Sequence, residues 1–281
     1  MRIDSHQHFW LHKHFDYPWM DKSNPVVYRD YLPKNLNPLL RENNIDQTIA
    51  VQASPTLEET DFLLALAKDN FFIVGVVGWL DLESEHFPDQ LEQYCKYPGF
   101  VGIRPAVELI DDIRWLVRPS VLRSLQEIAK KKIPLDLIVW PQHLPSVIEM
   151  LTKIPDLLGV IDHLAKPNIK DNCLQPWKTH IAEISKYPGL YCKLSGMFPH
   201  ANPLIDISKQ VQPFVSHLLR CFGEDRLMFG SDWPVCLTSS DYKSSIEVIK
   251  KTVPCHLSTK VEAAIFGGNA IKFYRLDGAG K

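Results

Sequence analysis

Two histidines near the start of the chain, one residue apart, are the first side chains that could do chemistry. The segment reads IDSHQHFW and contains His6 and His8. Alternate residues of a β-strand point to the same face, so a short strand here would direct both imidazoles to one side. Paired imidazoles can bind a metal ion, activate water or have no role beyond packing. The pair alone does not decide among these roles.

Other ionisable side chains follow apolar segments further along the chain. His163 ends the segment VIDH, and Asp232 begins the turn in FGSDWP. Each has a structural alternative, since His163 could be a hydrogen-bonded core histidine and Asp232 could cap the next helix. Capping and packing alone do not readily explain why all four groups, His6 and His8 included, fall at predicted strand ends. The set therefore favours an enzyme.

Short β-branched segments alternate with amphipathic helical patterns along the whole chain. The predicted strands cover residues 2–9, 47–53, 72–80, 101–107, 135–140, 158–163, 190–194 and 226–231. Apolar residues at helical spacing cover residues 60–68, 122–131, 180–185, 211–222, 242–250 and 258–266. Most strands lack strict polar alternation, so they are interpreted as buried on both faces, which is typical of a parallel sheet covered by helices. The pattern predicts an α/β fold, a single (β/α)8 barrel over residues 1–281, with a doubly wound sheet as the alternative.

A barrel of this kind carries its active site at the C-terminal ends of its strands. Four further side chains lie at or near these predicted ends: Gln52, Arg104, Trp140 and Lys193. Arg104 and Lys193 could each be one half of a buried ion pair, and Gln52 could satisfy backbone groups. Because most strand ends carry polar or ionisable groups, the pattern again favours an active site.

Composition and charge narrow the class of partner. The chain has 281 residues, 45% of them hydrophobic and 23% charged, and a formal net charge of −2. This charge gives no reason to expect nucleic acid or an anionic membrane surface, so the predicted partner is a small molecule. No signal-peptide pattern and no apolar segment of about 20 residues is visible. The six cysteines lack paired spacing, so Cys192 and Cys236 are interpreted as reduced core residues and the protein as cytoplasmic.

Several segments together resemble the amidohydrolase superfamily, and within it the sugar lactonases of the amidohydrolase 2 group, which are L-fuconolactonase-like and L-rhamnonolactonase-like. The resemblance rests on IDSHQHFW, VQASPTLEET, GVVGWLDL, GIRP, VLRSL, PLDLIVWPQHLP, VIDHLAKP, YCKLSGM, DRLMFGSDWPVC and AAIFGGNAIKFYRL. It implies a distorted, metal-dependent-hydrolase-like barrel. It also implies hydrolysis of a sugar-acid lactone to the free aldonic acid, with L-fuconolactone as the expected substrate and L-rhamnonolactone as an alternative.

The resemblance also implies roles for the candidate residues. Asp232 would be the general base that takes a proton from water, while His6, His8 and His163 orient that water and stabilise charge. The substrate-binding residues would be Gln52, Arg104, Trp140 and Lys193. Residues 10–28 follow the first strand and are expected to form a loop over the pocket. His12 and His14 in this loop are interpreted as surface residues in preference to substrate contacts.

A metal and other activities stay open at this point. His6, His8, His163 and Asp232 would suffice for one Zn²⁺ with an open position for water. The predicted fifth strand ends in Trp140, without a further ligand, so the expectation is that a divalent metal can bind but is not required. The alternatives are a Zn²⁺-dependent amidohydrolase, a non-oxidative decarboxylase and a catalytically silent barrel that binds a sugar acid. Homo-oligomerisation is left open.

Overall fold

Eight parallel strands form one sheet in which each strand pairs with its sequence neighbour. The computed structural model describes residues 1–253 and 259–276. The strands are β1 (Ile3–Gln7), β2 (Gln47–Val51), β3 (Ile73–Gly78), β4 (Phe100–Ile103), β5 (Leu135–Leu137), β6 (Gly159–Ile161), β7 (Leu190–Leu194) and β8 (Leu227–Phe229). The sheet order from β1 to β8 confirms the predicted (β/α)8 barrel.

The barrel closes where the chain continues past β1 and β8. Gln7, at the end of β1, forms an isolated parallel bridge with Trp233 in the segment that follows β8. On either side of it, the backbone N–H of Asp232 donates to the carbonyl of His6 over 2.8 Å, and that of His8 donates to the carbonyl of Trp233 over 2.7 Å. Closure of the barrel therefore places the His6–His8 pair next to Asp232.

Helices follow the strands and pack around the sheet. They are α1 (Pro33–Glu42), α2 (Leu57–Asp69), α3 (Phe87–Tyr94), α4 (Pro119–Lys131), α5 (Leu144–Lys153), α6 (Trp177–Ile184), α7 (Ile207–Phe222), α8 (Tyr242–Thr252), α9 (Thr259–Ala263) and α10 (Asn269–Tyr274). All six predicted helical patterns fall on helices. Ser258, where the last pattern begins, lies outside the described residues. The single-domain organisation over residues 1–281 stays a prediction.

Three helices that the apolar pattern did not predict, α1, α3 and α5, carry proline in their first turn. Proline suits this position because its missing N–H would have no partner within the helix and its φ is already helical. The strands are mostly shorter than predicted at their C-terminal ends. For example, β5 ends at Leu137 although apolar residues continue to Trp140, because the chain leaves the sheet there and turns into the barrel mouth.

Two further expectations from the sequence can be compared with the structure. Cys192 and Cys236 are buried and have free thiols, as predicted. Among residues 1–253 and 259–276, no helix is both long enough and apolar enough to span a bilayer.

Candidate active site

A cavity of about 270 Å³ opens at the C-terminal ends of the strands. Six of the side chains predicted from the sequence line it: His8, Gln52, Arg104, Trp140, His163 and Asp232. Cavities for drug-sized ligands are usually about 300–1,000 Å³, so this one suits a molecule with a single ring. The position agrees with the rule that barrel sites lie at the C-terminal ends of the strands.

Two predicted site residues lie deeper than the cavity. His6 and Lys193 are fully buried, and neither belongs to the cavity wall. His6 still reaches the site, because its Nε2 atom lies 3.2 Å from Nε2 of His8. Lys193 was predicted to contact the substrate, and that placement is wrong. β7 continues through Leu194, so Lys193 points into the barrel interior below the mouth.

His6, His8, His163 and Asp232 form a compact group, here called the histidine–aspartate cluster. Oδ1 of Asp232 lies 3.4 Å from Nε2 of His8 and 3.9 Å from Nε2 of both His6 and His163. Nδ1 of His8 lies 2.8 Å from the carbonyl of Val51, which can only accept, so this nitrogen carries the hydrogen. In neutral His8 the Nε2 atom then carries no hydrogen, and its lone pair lies on the side of Asp232.

Electrostatics favour an ionised carboxylate beside neutral imidazoles. Burial disfavours the charge on Asp232, but its electrostatic interactions with His163 and His8 outweigh burial and lower the pKa of this carboxyl. Burial also lowers the pKa values of His6 and His163 well below the usual range for imidazole. Near neutral pH the cluster therefore contains an ionised carboxylate beside the neutral rings of His6 and His163.

The donor set of the cluster fits a single divalent metal ion. Donors around a tetrahedral Zn²⁺, with bonds of about 2.0–2.2 Å, lie roughly 3.3 Å from one another. The ligand atoms of His6, His8 and Asp232 lie within 4.8 Å of one another. Two imidazole nitrogens and a carboxylate oxygen this close together are a donor set that Zn²⁺ accepts.

The family model described as amidohydrolase matches residues 3–276, nearly the whole chain. The chain belongs to the amidohydrolase family. The family that the sequence motifs indicated is therefore confirmed.

Relatives with assigned names cover almost the whole length of this amidohydrolase. An L-fucono-1,5-lactonase of Burkholderia ambifaria is 36% identical over 279 residues, which span 98% of this chain and 96% of the relative. An L-fucono-1,5-lactonase of Burkholderia multivorans is 33% identical over 288 residues, with the same two shares. An amidohydrolase of Burkholderia multivorans solved with bound zinc superposes with a TM-score of 0.92 at 32% identity, over 98% of this chain and 99% of that one.

A buried ionic network supports the cluster from below. Nζ of Lys193 lies 3.1 Å from both Nδ1 of His6 and Oδ1 of Asp162, and it also bonds Asp136. Burial opposes the charge on Asp162, but Lys193 and His6 outweigh burial and hold its pKa well below the usual range. Burial raises the pKa of Asp136 to about 6. A second group of possible metal ligands combines His6 and Asp162 with His163, but the ammonium of Lys193 already neutralises Asp162.

The backbone near the cluster is strained in this amidohydrolase. Four consecutive non-glycine residues, His163 to Lys166, have φ between 48° and 59°, and Asp232 has φ of 57°. Each such residue costs about 1–2 kcal/mol, and strain of this kind concentrates at functional sites. The N–H of Lys166 donates to the carbonyl of His163 over 2.7 Å, so residues 163–166 form one left-handed turn. With about three residues per turn, His163 and Lys166 project in the same direction, and both line the cavity.

Gly196 lets the chain pass directly beside the ring of His163. A Cβ atom at this position would lie 2.5 Å from Nδ1 of His163, and the glycine has φ of 58°. Both the close approach and the left-handed backbone require glycine. The neighbouring Ser195 places its Oγ atom 2.9 Å from Nδ1 of His163 and so fixes the orientation of the ring.

Among the lining residues that were not predicted as site residues, four have charged or aromatic side chains: Trp19, Glu108, Lys166 and His200. All four lie in connections beyond the strand ends, where strand patterns carry no signal. Trp19 belongs to the segment 10–28 that was expected to cover the pocket, and its Nε1 donates to the carbonyl of Ala53 over 2.8 Å. The two histidines of that segment do not line the cavity: His12 contacts Asp30 at 2.6 Å, and His14 is exposed.

Proposed function

We propose that this amidohydrolase opens a sugar-acid 1,5-lactone, with L-fucono-1,5-lactone as the preferred substrate, to the free aldonic acid. The observation that carries the proposal is the position of the Asp232 carboxyl group, 3.4 Å from His8 and 3.9 Å from His163 at the wall of a cavity sized for one ring. The names of the two Burkholderia lactonases support the substrate class. The chain is then a carboxylic-ester hydrolase.

Asp232 acts as the general base in the proposed reaction. Its carboxylate takes a proton from a water molecule as the water oxygen attacks the lactone carbonyl carbon. The resulting tetrahedral oxyanion collapses by breaking the bond between the carbonyl carbon and the ring oxygen. The proton returns to that oxygen, giving a hydroxyl group and a carboxylic acid from one lactone and one water. His8 and His163 orient the water and stabilise the developing charge.

A divalent metal ion would be held by His6, His8 and Asp232, with His163 beside them. When bound, it would supply Lewis-acid polarisation of the lactone carbonyl. A lactone is an activated ester compared with an amide and needs less of this polarisation. We therefore expect one Zn²⁺ to bind and to contribute to the rate without being required for turnover.

The charge balance of the cavity favours a neutral substrate. Nη1 of Arg104 lies 3.4 Å from Oδ2 of Asp162, and Nη2 of Arg104 donates to the carbonyl of Gln52. Lys166 forms an ion pair with Glu108. Both cations that line the cavity thus face a carboxylate, whereas a site for an anionic substrate needs cationic charge to spare. A decarboxylase acting on an aromatic acid fits this balance less well than a lactonase does.

Acid release from a panel of lactones tests the proposal. The panel contains L-fucono-1,5-lactone, L-rhamnonolactone, L-galactonolactone and D-arabinonolactone, each followed with a pH indicator with and without a chelator. We expect the fastest hydrolysis with L-fucono-1,5-lactone. Hydrolysis of none of them would overturn the lactonase proposal. Complete loss with chelator, restored by Zn²⁺, would show instead that the metal is required.

A further inference from the structure

An ion pair that bridges two connections of the barrel faces the cavity. Nζ of Lys166, beyond β6, bonds Oε2 of Glu108, beyond β4. The ammonium also lies 4.7 Å from the centre of the Trp140 ring, beyond the intervening strand β5. All three side chains line the cavity, so one wall of the site consists of a cation, an anion and an aromatic ring.

The pair is partly open on the cavity side. The Lys166 side chain is 12% exposed and that of Glu108 is 17% exposed. An ammonium has three N–H donors and a carboxylate has about four acceptor positions, so their mutual bond leaves hydrogen-bonding capacity on both groups. The pair has no net charge and therefore suits a polar, neutral ligand.

We propose that Glu108 and Lys166 bind two neighbouring hydroxyl groups of the lactone ring and determine selectivity for a hydroxylated substrate. This inference rests on the proposed lactonase function and concerns the part of the substrate away from the reacting carbonyl. One ring hydroxyl donates to the carboxylate of Glu108, and its neighbour accepts from the ammonium of Lys166. A vicinal diol presents a donor and an acceptor side by side, as the ion pair does.

The backbone fixes this wall relative to the reacting groups. Lys166 and His163 belong to the same left-handed turn, closed by the 2.7 Å bond between them. The distance from the hydroxyl-binding pair to the cluster is therefore set by one rigid turn, supported by the Trp140 ring. When the hydroxyls of a lactone ring bind this pair, the carbonyl is held at a fixed position relative to the histidine–aspartate cluster. Such orientation of the reacting groups increases the rate of the reaction.

The test compares two lactones with the same ring size. L-fucono-1,5-lactone has ring hydroxyls, whereas δ-valerolactone has none. In the variants Lys166→Met and Glu108→Gln we expect kcat/KM for the sugar lactone to fall at least about tenfold, the usual effect of losing one hydrogen bond to a charged group. The value for δ-valerolactone should stay within about twofold. The variant Lys170→Met, an exposed lysine near the same turn, is the matched control and should leave both values unchanged.

An equal loss with both lactones would overturn the inference, because the pair would then act on the ester or on the fold. Unchanged values with both lactones would overturn it as well. Where δ-valerolactone turns over too slowly, the inhibition constant of L-fucose, which has ring hydroxyls and no ester, supplies the comparison and should rise at least about tenfold in both variants. Wild-type protein that hydrolyses neither lactone would contradict the proposed function itself. That result differs from one in which both lactones are hydrolysed and the variants change kcat/KM equally for both.

Discussion

The backbone N–H of Asp232 donates to the carbonyl of His6 over 2.8 Å, across the junction between the last strand and the first. The same junction brings Oδ1 of Asp232 to 3.4 Å from Nε2 of His8. The acidic and imidazole groups of the site are thus brought together by closure of the barrel. Their geometry depends on the complete barrel, which explains why residues more than 220 positions apart act as one unit.

Replacing the carboxylate of Asp232 by an amide should remove the base without removing the side chain's volume. In Asp232→Asn we expect kcat to fall by about 10²–10⁴-fold, the usual contribution of general base catalysis. Steady-state hydrolysis of L-fucono-1,5-lactone measures the effect. Asp225→Asn, the same change at an exposed position upstream, should retain full activity. A value of kcat for Asp232→Asn close to that of wild type would remove Asp232 from the role of base.

Gly196→Ala should displace His163, because the new Cβ would lie 2.5 Å from Nδ1 of its ring. We expect kcat/KM to fall by about 10²-fold, since displacements of about 1 Å cost this much in oriented sites. Gly223→Ala is the matched control: Gly223 has φ of 66°, but nothing lies within 4 Å of its Cβ position. That variant should lose about 1–2 kcal/mol of stability and no activity. Similar kinetics in both variants would mean that the close contact with His163 is unimportant.

Lys193→Met should destabilise the protein strongly, because it leaves the buried carboxylates of Asp136 and Asp162 without their ammonium partner. Removing one partner of a buried pair typically costs about 3–5 kcal/mol in the free energy of unfolding. Chemical denaturation measures this change. The double variant Lys193→Met with Asp136→Asn should recover part of the loss, since one uncompensated charge is then gone.

The control for this prediction is Lys186→Met, which removes an exposed pair with Glu183. Exposed pairs contribute about 0–1 kcal/mol, so little change is expected. If Lys193→Met were no more destabilising than Lys186→Met, the ionic network would not support the fold.

Glu59 should make stability depend on pH. Burial raises the pKa of Glu59 from 4.5 to about 8, against the effect of hydrogen bonds from the backbone N–H groups of Ser54 and Ala53. The native state then retains a proton that the unfolded chain releases, so the free energy of unfolding falls as pH rises from 4.5 to about 8. In Glu59→Gln this fall should be weaker.

Thermal unfolding of wild type, Glu59→Gln and Glu58→Gln between pH 5 and about pH 9 tests this expectation. Glu58 is exposed, so its variant should follow the wild-type curve. Parallel curves for wild type and Glu59→Gln would contradict the raised pKa of Glu59.

The order of strands and the class of fold could be predicted because most of the buried strands lack the regular polar alternation of a half-exposed sheet and are separated by amphipathic helical patterns. The lengths of the strands were predicted less accurately. Residues 138–140 are all apolar, whereas β5 contains Asp136, yet residues 138–140 leave the sheet to enter the site. Hydrophobicity reports burial, and a buried connection at the barrel mouth has the same signature as a strand.

The site was predictable where chemistry coincides with strand ends, as for His8, His163 and Asp232. Lys193 was misplaced because its position near a strand end does not say whether the side chain faces the mouth or the interior. Lys166 and Glu108 were missed because they lie in turns, where no periodicity applies. The sequence does show a lysine three residues after His163, just before Pro167. That spacing indicates a cavity-lining residue only when the left-handed backbone of residues 163–166 is known.

The left-handed turn at residues 163–166 also constrains how this site can change during evolution or engineering. An inserted or deleted residue would rotate Lys166 by about a third of a turn relative to His163 and take it off the cavity wall. Substrate selectivity here can thus be altered by exchanging side chains while the number of residues in the turn stays the same, or by replacing residues 163–166 as a whole. Insertions and deletions, which often change specificity in barrel connections, would therefore disrupt the site in this connection.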